Sequence, residues 1–180
     1  MNHKGTKKIE TERLVLRAFS HLDAEDMYKN WATNENVTKF LRWKPHPNID
    51  LTKKLCEIWE NDSQKPNSYL WAIVDKITNQ AIGSVGLVDI DEEKKSAEFG
   101  YCLSENYWGK GLMKEAMDAV LTYLEPVGFV RLFATCNVQN ANSAKVLSKC
   151  GFESEGILRK FDFDNEQNLV DVMMFSKITE

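Results

Sequence analysis

The chain has 180 residues, with 43% hydrophobic and 28% charged side chains, which is the make-up of a soluble globular domain able to bury a core. Its 23 basic and 27 acidic side chains leave a net charge of −4. That balance argues against direct nucleic-acid binding, which needs a basic surface, and no apolar run approaches the roughly 18 residues of a membrane span.

In chain order, Met1–Lys8 is polar and basic with no hydrophobic segment behind it, so it reads as a flexible tail rather than a signal peptide. Leu14–Phe19 alternates apolar and polar residues and predicts a strand. Ser20, with Asp23 three residues on, has the spacing of a capping box, and a helix is expected over Leu22–Thr33. Val37–Pro47 is irregular and holds Phe40, Leu41 and Trp43. A second helix over Asp50–Asn61 is expected to bury Leu51, Leu55, Ile58 and Trp59.

Tyr69–Asp75 and Ala81–Ile90 predict strands around a polar turn, and Ser96–Leu103 completes a three-strand meander. The period then lengthens. Leu112–Glu125 predicts a helix closed by Pro126 and Gly128. Leu132–Cys136 reads as a strand, Asn142–Cys150 as a helix, and Phe152–Arg159 and Leu169–Lys177 as the last strands. This order predicts an α+β fold, a mixed sheet covered by helices, over a single domain of residues 1–180.

The four cysteines, Cys56, Cys102, Cys136 and Cys150, have no metal-ligand spacing and suit a reduced, cytoplasmic protein. His3, His21 and His46 all fall in the first third with no zinc spacing, so no metal is expected.

The stretch Glu105–Met113 joins the end of a strand to the start of a long helix and contains Gly109 and Gly111. Helix N-termini present unpaired N–H groups and a positive dipole end, and glycine lets a ligand approach the backbone. That spacing fits a phosphate cradle or a plain glycine turn. A P-loop needs four residues between its glycines and then Lys-Ser/Thr, which are absent here; a dinucleotide fingerprint needs a third glycine where Lys114 stands.

Four stretches, in order, resemble a known family. Asn106–Gly111 resembles the Q/R-x-x-G-x-G/A loop of the GNAT N-acetyltransferase superfamily. Ala97–Tyr101 resembles its "AEIGY" strand, and Asn140-x-x-Ser143 followed by Lys149-Cys150-Gly151-Phe152 its "N-x-x-S…K-x-G-F" signature. Thr11–Arg17 resembles the opening "TERLxLR". Within the superfamily the chain is similar to the ribosomal-protein serine and alanine N-acetyltransferases.

The resemblance implies a mixed, mostly antiparallel sheet of about six to seven strands, splayed at the coenzyme site and flanked by about four helices. It implies acetyl-CoA as cosubstrate. The splayed strand edge, with Phe99, Tyr101, Cys102 and Leu103, would pair with the pantetheine arm. A backbone N–H near Tyr101 or Cys102 would polarise the thioester carbonyl. Trp108, Gly109, Lys110, Gly111, Leu112 and Met113 would hold the pyrophosphate, and Asn137, Asn140 and Ser143 would add polar contacts.

Transfer to an amine needs a base and an acid but no covalent intermediate, so Cys102 is expected as a core residue rather than a nucleophile. Glu98 is the first expected base: it sits on an otherwise apolar strand, where desolvation would raise its pKa. Asp162 is the second, at the position of a glutamate proposed as base in the ribosomal-protein subfamily, on a shorter side chain. The tyrosine that many members use as acid is replaced by Leu147, and Ser143 matches the serine that serves instead in the ribosomal-protein subfamily. Trp31, Phe40 and Trp43 are expected to wall the acceptor cleft. Each of these residues also has a structural reading, as ion pair, helix cap or core.

The expected activity is acetyl transfer to a primary amine, a protein N-terminus of the ribosomal type. Two other readings fit the same residues: a small-molecule amine acetyltransferase, for an aminoglycoside, polyamine or amino acid, and a coenzyme-A-binding sensor without catalysis. The resemblance allows a homodimer and implies no membrane or nucleic-acid partner.

Overall fold

A computed structural model describes residues 1–179. Among them one sheet of eight strands runs in the order β1-β2-β3-β4-β5-β6-β8-β7. The strands are β1 (Ile9–Glu10), β2 (Leu14–Arg17), β3 (Leu70–Asp75), β4 (Ala81–Asp91), β5 (Ser96–Leu103), β6 (Arg131–Asn137), β7 (Glu153–Phe163) and β8 (Leu169–Ile178). Every neighbouring pair is antiparallel except β5 and β6, which run parallel. The additional strand is β1, two residues long and too short to carry a periodic signal.

The helices are α1 (Ala24–Met27), α2 (Glu35–Thr38), α3 (Ile49–Asp62), α4 (Leu112–Leu124) and α5 (Ala141–Lys149). The expected helix over Leu22–Thr33 is three unlike turns: a 3₁₀ turn at His21–Asp23, then α1, then a π turn at Tyr28–Ala32. Its cap is as expected, with Ser20 accepting from Leu22 N–H and both halves of a capping box present. The stretch expected to be irregular begins inside α2, whose N-cap Asn34 accepts from the N–H groups of Asn36 and Val37.

Two cores lie on the two faces of the sheet. On β3, Trp71 and Ile73 enter one core while Leu70 and Ala72 face the other, the alternation that a pleated strand imposes. The larger core packs α4 and α5 through Leu112, Ala116, Met117, Val120 and Leu147. The smaller gathers Met27, Trp31 and Cys56 from the N-terminal helices. Here α3 departs from expectation. Leu51 and Ile58 are exposed, at 45% and 54%, while Thr52 and Cys56 are turned in. Thr52 can be buried because its hydroxyl meets His46 Nδ1 at 2.7 Å, so no polar atom is left unpaired.

The N-terminal residues expected as a flexible tail are tied to the body. Asn2 N–H donates to Val127 O, Thr6 Oγ1 to Ser68 O, Tyr123 Oη to Gly5 O and Trp71 Nε1 to Lys7 O.

The feature that shapes the site is where β5 and β6 part. They pair only at Ser96–Glu98 against Arg131–Phe133. Beyond Glu98 the two strands diverge, and the edge of β5 from Phe99 to Leu103 faces an opening instead of a neighbour.

Candidate active site

A cleft of about 1690 Å³ occupies this opening. Its floor is the free stretch of β5. One end is the loop into α4, and the other lies between the 39–47 segment and the β7–β8 hairpin. A smaller hollow of about 460 Å³ adjoins it and shares Lys39, Phe40, Asn137 and Val170.

At the α4 end, Ser104 leads into a 3₁₀ turn at Glu105–Tyr107. Gly109 and Gly111 both take positive φ, +74° and +77°, where glycine avoids the Cβ clash of other residues. Gly111 is the N-cap of α4, and no side chain caps that end. The first-turn N–H groups, which have no intrahelical partner, therefore point their dipole at the cleft. A Cβ on Gly109 would meet nothing within 4 Å, and one on Gly111 only Arg13 Nη2 at 3.7 Å. The glycines are there for backbone conformation and for open space, which suits an anion.

This loop is braced from outside. Arg13 Nη1 donates to Lys110 O at 2.9 Å and Arg13 Nε to Glu115 Oε2 at 2.7 Å. Glu115 also accepts from Thr11 Oγ1 and from Arg13 N–H. Thus the Thr11–Arg13 stretch, read from sequence only as a family signature, ties the start of β2 to α4 and its loop. Asn34 and Asn36 donate to the two oxygens of Glu105, both at 2.9 Å, and hold its carboxyl below the usual range. Trp108 folds back so that its Nε1 donates to Leu103 O at 2.8 Å.

Lys110 does not line the cleft. Its Nζ donates to Asn106 O and lies over the Tyr107 ring, while the other residues expected at the coenzyme do line it.

On the far wall, Asn140 caps α5 by accepting from Ser143 N–H at 3.1 Å. Ser143 Oγ shares a 2.7 Å hydrogen bond with Tyr101 Oη from the β5 floor. Burial pushes the Tyr101 phenol well above its ordinary value, with the Ser143 bond opposing only in part. The hydroxyl therefore keeps its proton at neutral pH. From sequence Tyr101 has main-chain roles alone, as a strand contact and a candidate thioester-polarising N–H, and none for its hydroxyl. It stands across the cleft from α5, the helix on which Leu147 fills the usual tyrosine position and is fully buried.

The thiols are inert by the same physics. Burial pushes Cys56 up to about 12 and Cys150 up to about 11, and raises Cys102 and Cys136. Cys102 Sγ lies 3.4 Å from Ser84 Oγ.

At the other end of the cleft, the two expected bases come together from distant parts of the chain. The Glu98 and Asp162 side chains are only 14% and 17% exposed. Glu98 does not lie in an apolar pocket. Its Oε1 accepts from Thr135 Oγ1 at 3.0 Å, across the splay, and from Arg42 Nη2 at 3.1 Å. Asp162 Oδ2 accepts from Arg42 Nε at 2.7 Å. Arg42 is the residue that sequence reasoning missed. Its neighbours Phe40 and Trp43 were singled out for aromatic character, but nothing local marks an arginine whose partners lie 56 and 120 residues away.

Phe40 and Trp43 are half-buried in the cleft wall, and the Trp43 ring lies 5.3 Å from that of His46. Trp31 touches the cleft but is 1% exposed and belongs to the smaller core, so it backs the wall from beneath.

Comparison with known proteins gives a consistent picture. Residues 13–153 match the acetyltransferase (GNAT) domain family. A protein of Bacillus licheniformis, described as an uncharacterized N-acetyltransferase, is 32% identical over 167 residues, 92% of this chain and 93% of that one. The ribosomal protein uS5-alanine N-acetyltransferase of Escherichia coli is 26% identical over 163 residues, 86% of this chain and 82% of that one. The crystal structure of a microcin self-immunity acetyltransferase in complex with acetyl-CoA and AMP superposes with a TM-score of 0.84 at 27% identity, covering 93% of each chain.

Proposed function

Because this chain belongs to the GNAT acetyltransferase family and is an acetyl-CoA-dependent N-acetyltransferase, we propose that its acceptor is the α-amine of a protein N-terminus and that transfer is direct, with a carboxylate as base. The observation that carries the reading is the pair of inward carboxylates, Glu98 and Asp162, at one end of a cleft whose other end is an uncapped, glycine-led helix N-terminus.

The residues suit the coenzyme. The main chain at Trp108–Met113 binds the diphosphate through first-turn N–H groups, with the two glycines leaving room for it. The free edge of β5 at Phe99–Leu103 takes the pantetheine arm as an added strand. Asn137, Asn140 and Ser143 line the opposite side. Bound there, acetyl-CoA supplies an activated acyl group.

The chain's own residues then handle protons and position. Glu98 or Asp162 takes a proton from the incoming ammonium, directly or through water. An α-amine, with pKa ~8, gives it up more readily than a lysine amine at ~10.4. Tyr101 Oη, hydrogen-bonded to Ser143 Oγ, donates to the leaving sulfur; burial makes it a weak acid, so it passes its proton on only as the second proton shed by the attacking nitrogen replaces it. The raised thiols leave no thiolate to act as a covalent carrier, which supports direct transfer.

The protein-terminus reading is supported by the likeness to the uS5-alanine enzyme and by the adjoining hollow, which gives the residues after the amine somewhere to run. The test is thiol release from acetyl-CoA with peptides bearing free Ser or Ala termini against a panel of polyamines, aminoglycosides and amino acids. Turnover of peptides is expected. Turnover of a small amine with none of peptides moves the acceptor to the small-molecule class. Tight coenzyme binding with no acceptor turned over makes the chain a sensor.

A further inference from the structure

The guanidinium of Arg42 lies between the two carboxylates that the proposed function uses, and the inference below rests on that reading. Arg42 Nε and Nη2 bridge Asp162 and Glu98, and among the described residues no other cation pairs with either acid. The burial order is unequal. The acids are 14% and 17% exposed, while the arginine is 53% exposed and projects from the segment between α2 and α3.

Neither carboxylate needs Arg42 to hold its orientation. Glu98 Oε1 is anchored by Thr135 Oγ1 at 3.0 Å, and Asp162 Oδ1 by Phe163 N–H at 2.8 Å. The main chain of the loop is also fixed without the guanidinium. Gln167 Nε2 donates to Arg42 O, and Lys44 pairs with Glu166 at 2.8 Å. The guanidinium can leave by rotation of its own side chain, a fast motion, while acids and loop stay in place. The arginine end of the pair is in solvent and the incoming ammonium restores the positive charge beside the acids, so the exchange is cheap.

We propose that Arg42 is a specificity-determining residue whose guanidinium stands where the acceptor's ammonium binds, so that an acceptor enters by exchanging with it. Two acids against one resident cation leave one negative charge. That charge draws in cationic amines, which can replace the guanidinium, and gives neutral amines nothing with which to replace it.

The experiment is steady-state kinetics of Arg42→Gln, with acetyl-CoA saturating and two acceptors: the best cationic amine and aniline, which is neutral at the assay pH. Removing the competitor lowers KM for the cationic amine by about 1.5–5-fold, the range an ion pair with a solvent-exposed partner supplies, while KM for aniline does not follow. Free guanidinium, added as the probe, inhibits Arg42→Gln competitively against the amine. A KM that rises, or guanidinium that restores activity, would show Arg42 to be an anchor and overturn the proposal; an unchanged KM would make it a bystander.

A second readout needs no turnover. Guanidinium at millimolar concentration shifts the carboxyl ¹³C signals of Glu98 and Asp162 in Arg42→Gln but not in the unaltered protein, and equal shifts in both refute the exchange. Glu98→Gln and Asp162→Asn separate the two claims. If both keep full rate the base assignment fails, whatever Arg42 does.

Discussion

Gly111→Ala tests the loop into α4. The residue sits at φ +77° and ψ 3°, and an alanine there pays the left-handed penalty of ~1–2 kcal/mol. There is no clash to add, since the new methyl meets only Arg13 Nη2 at 3.7 Å. For a domain of this size that strain lowers Tm by roughly 2–8 °C. The same strain falls on the first turn of α4, whose N–H groups are proposed to bind the diphosphate. Loss of one hydrogen bond to a charged group is worth ~1.5–3 kcal/mol, so Kd for coenzyme A rises ~10–150-fold. Gly128→Ala is the control. It shares the left-handed backbone, at φ +94°, and the empty surroundings, but lies past the far end of α4. Calorimetric titration well below both melting points should find coenzyme affinity lost in Gly111→Ala and kept in Gly128→Ala. Equal affinity in the two, with both Tm values lowered, would refute the reasoning: the glycine would then serve the turn and not a ligand.

Arg13→Ala removes the bonds to Lys110 O and Glu115, and is expected to weaken coenzyme A binding by ~3–10-fold in the same titration, through a loosened loop. Tyr101→Phe deletes the hydroxyl shared with Ser143; kcat is expected to fall by ~10²–10⁴ with coenzyme affinity nearly kept, and a smaller loss in Tyr101→Phe than in Ser143→Ala would return the proton to the serine. Glu155 bonds Arg131 and Ser176, and Arg131 beside it holds its carboxyl down at about 2. A lowered folded pKa gives stability that is present above the unfolded value, ~4.3, and is lost as pH falls toward about 2. Urea unfolding should therefore find Glu155→Gln less stable at pH 7 by under about 1 kcal/mol, because the pair is exposed, with the gap closing across that window.

What could be read in the sequence was what local chemistry dictates. The strand before the loop, the two glycines and α4 were legible because a left-handed N-cap admits few residues and a long helix repeats its apolar face. The Ser20 capping box was legible because both partners lie within three residues. What escaped notice depends on the tertiary fold. The buried face of α3 was legible only in part: Leu55 and Trp59 pack on the smaller core as expected, but Thr52 is tolerated inside only once His46 arrives to bond it, and Leu51 and Ile58 stay exposed. The break of the first helix into a π turn likewise follows no local signal. The acids Glu98 and Asp162 could be named singly, but their meeting at Arg42 joins β5, β7 and the loop after α2, and no spacing encodes it. The Tyr101–Ser143 pair is hidden in the same way, 42 residues apart and across a splay that exists only in the folded sheet.

The most direct test of the central claim is a crystal structure of the protein with acetyl-CoA bound. The diphosphate is expected within hydrogen-bonding distance of the main-chain N–H groups at the start of α4, with the pantetheine arm along Phe99–Leu103 and the acetyl group aimed toward Glu98 and Asp162. A diphosphate bound elsewhere, with the β5 edge left bare, would contradict the account.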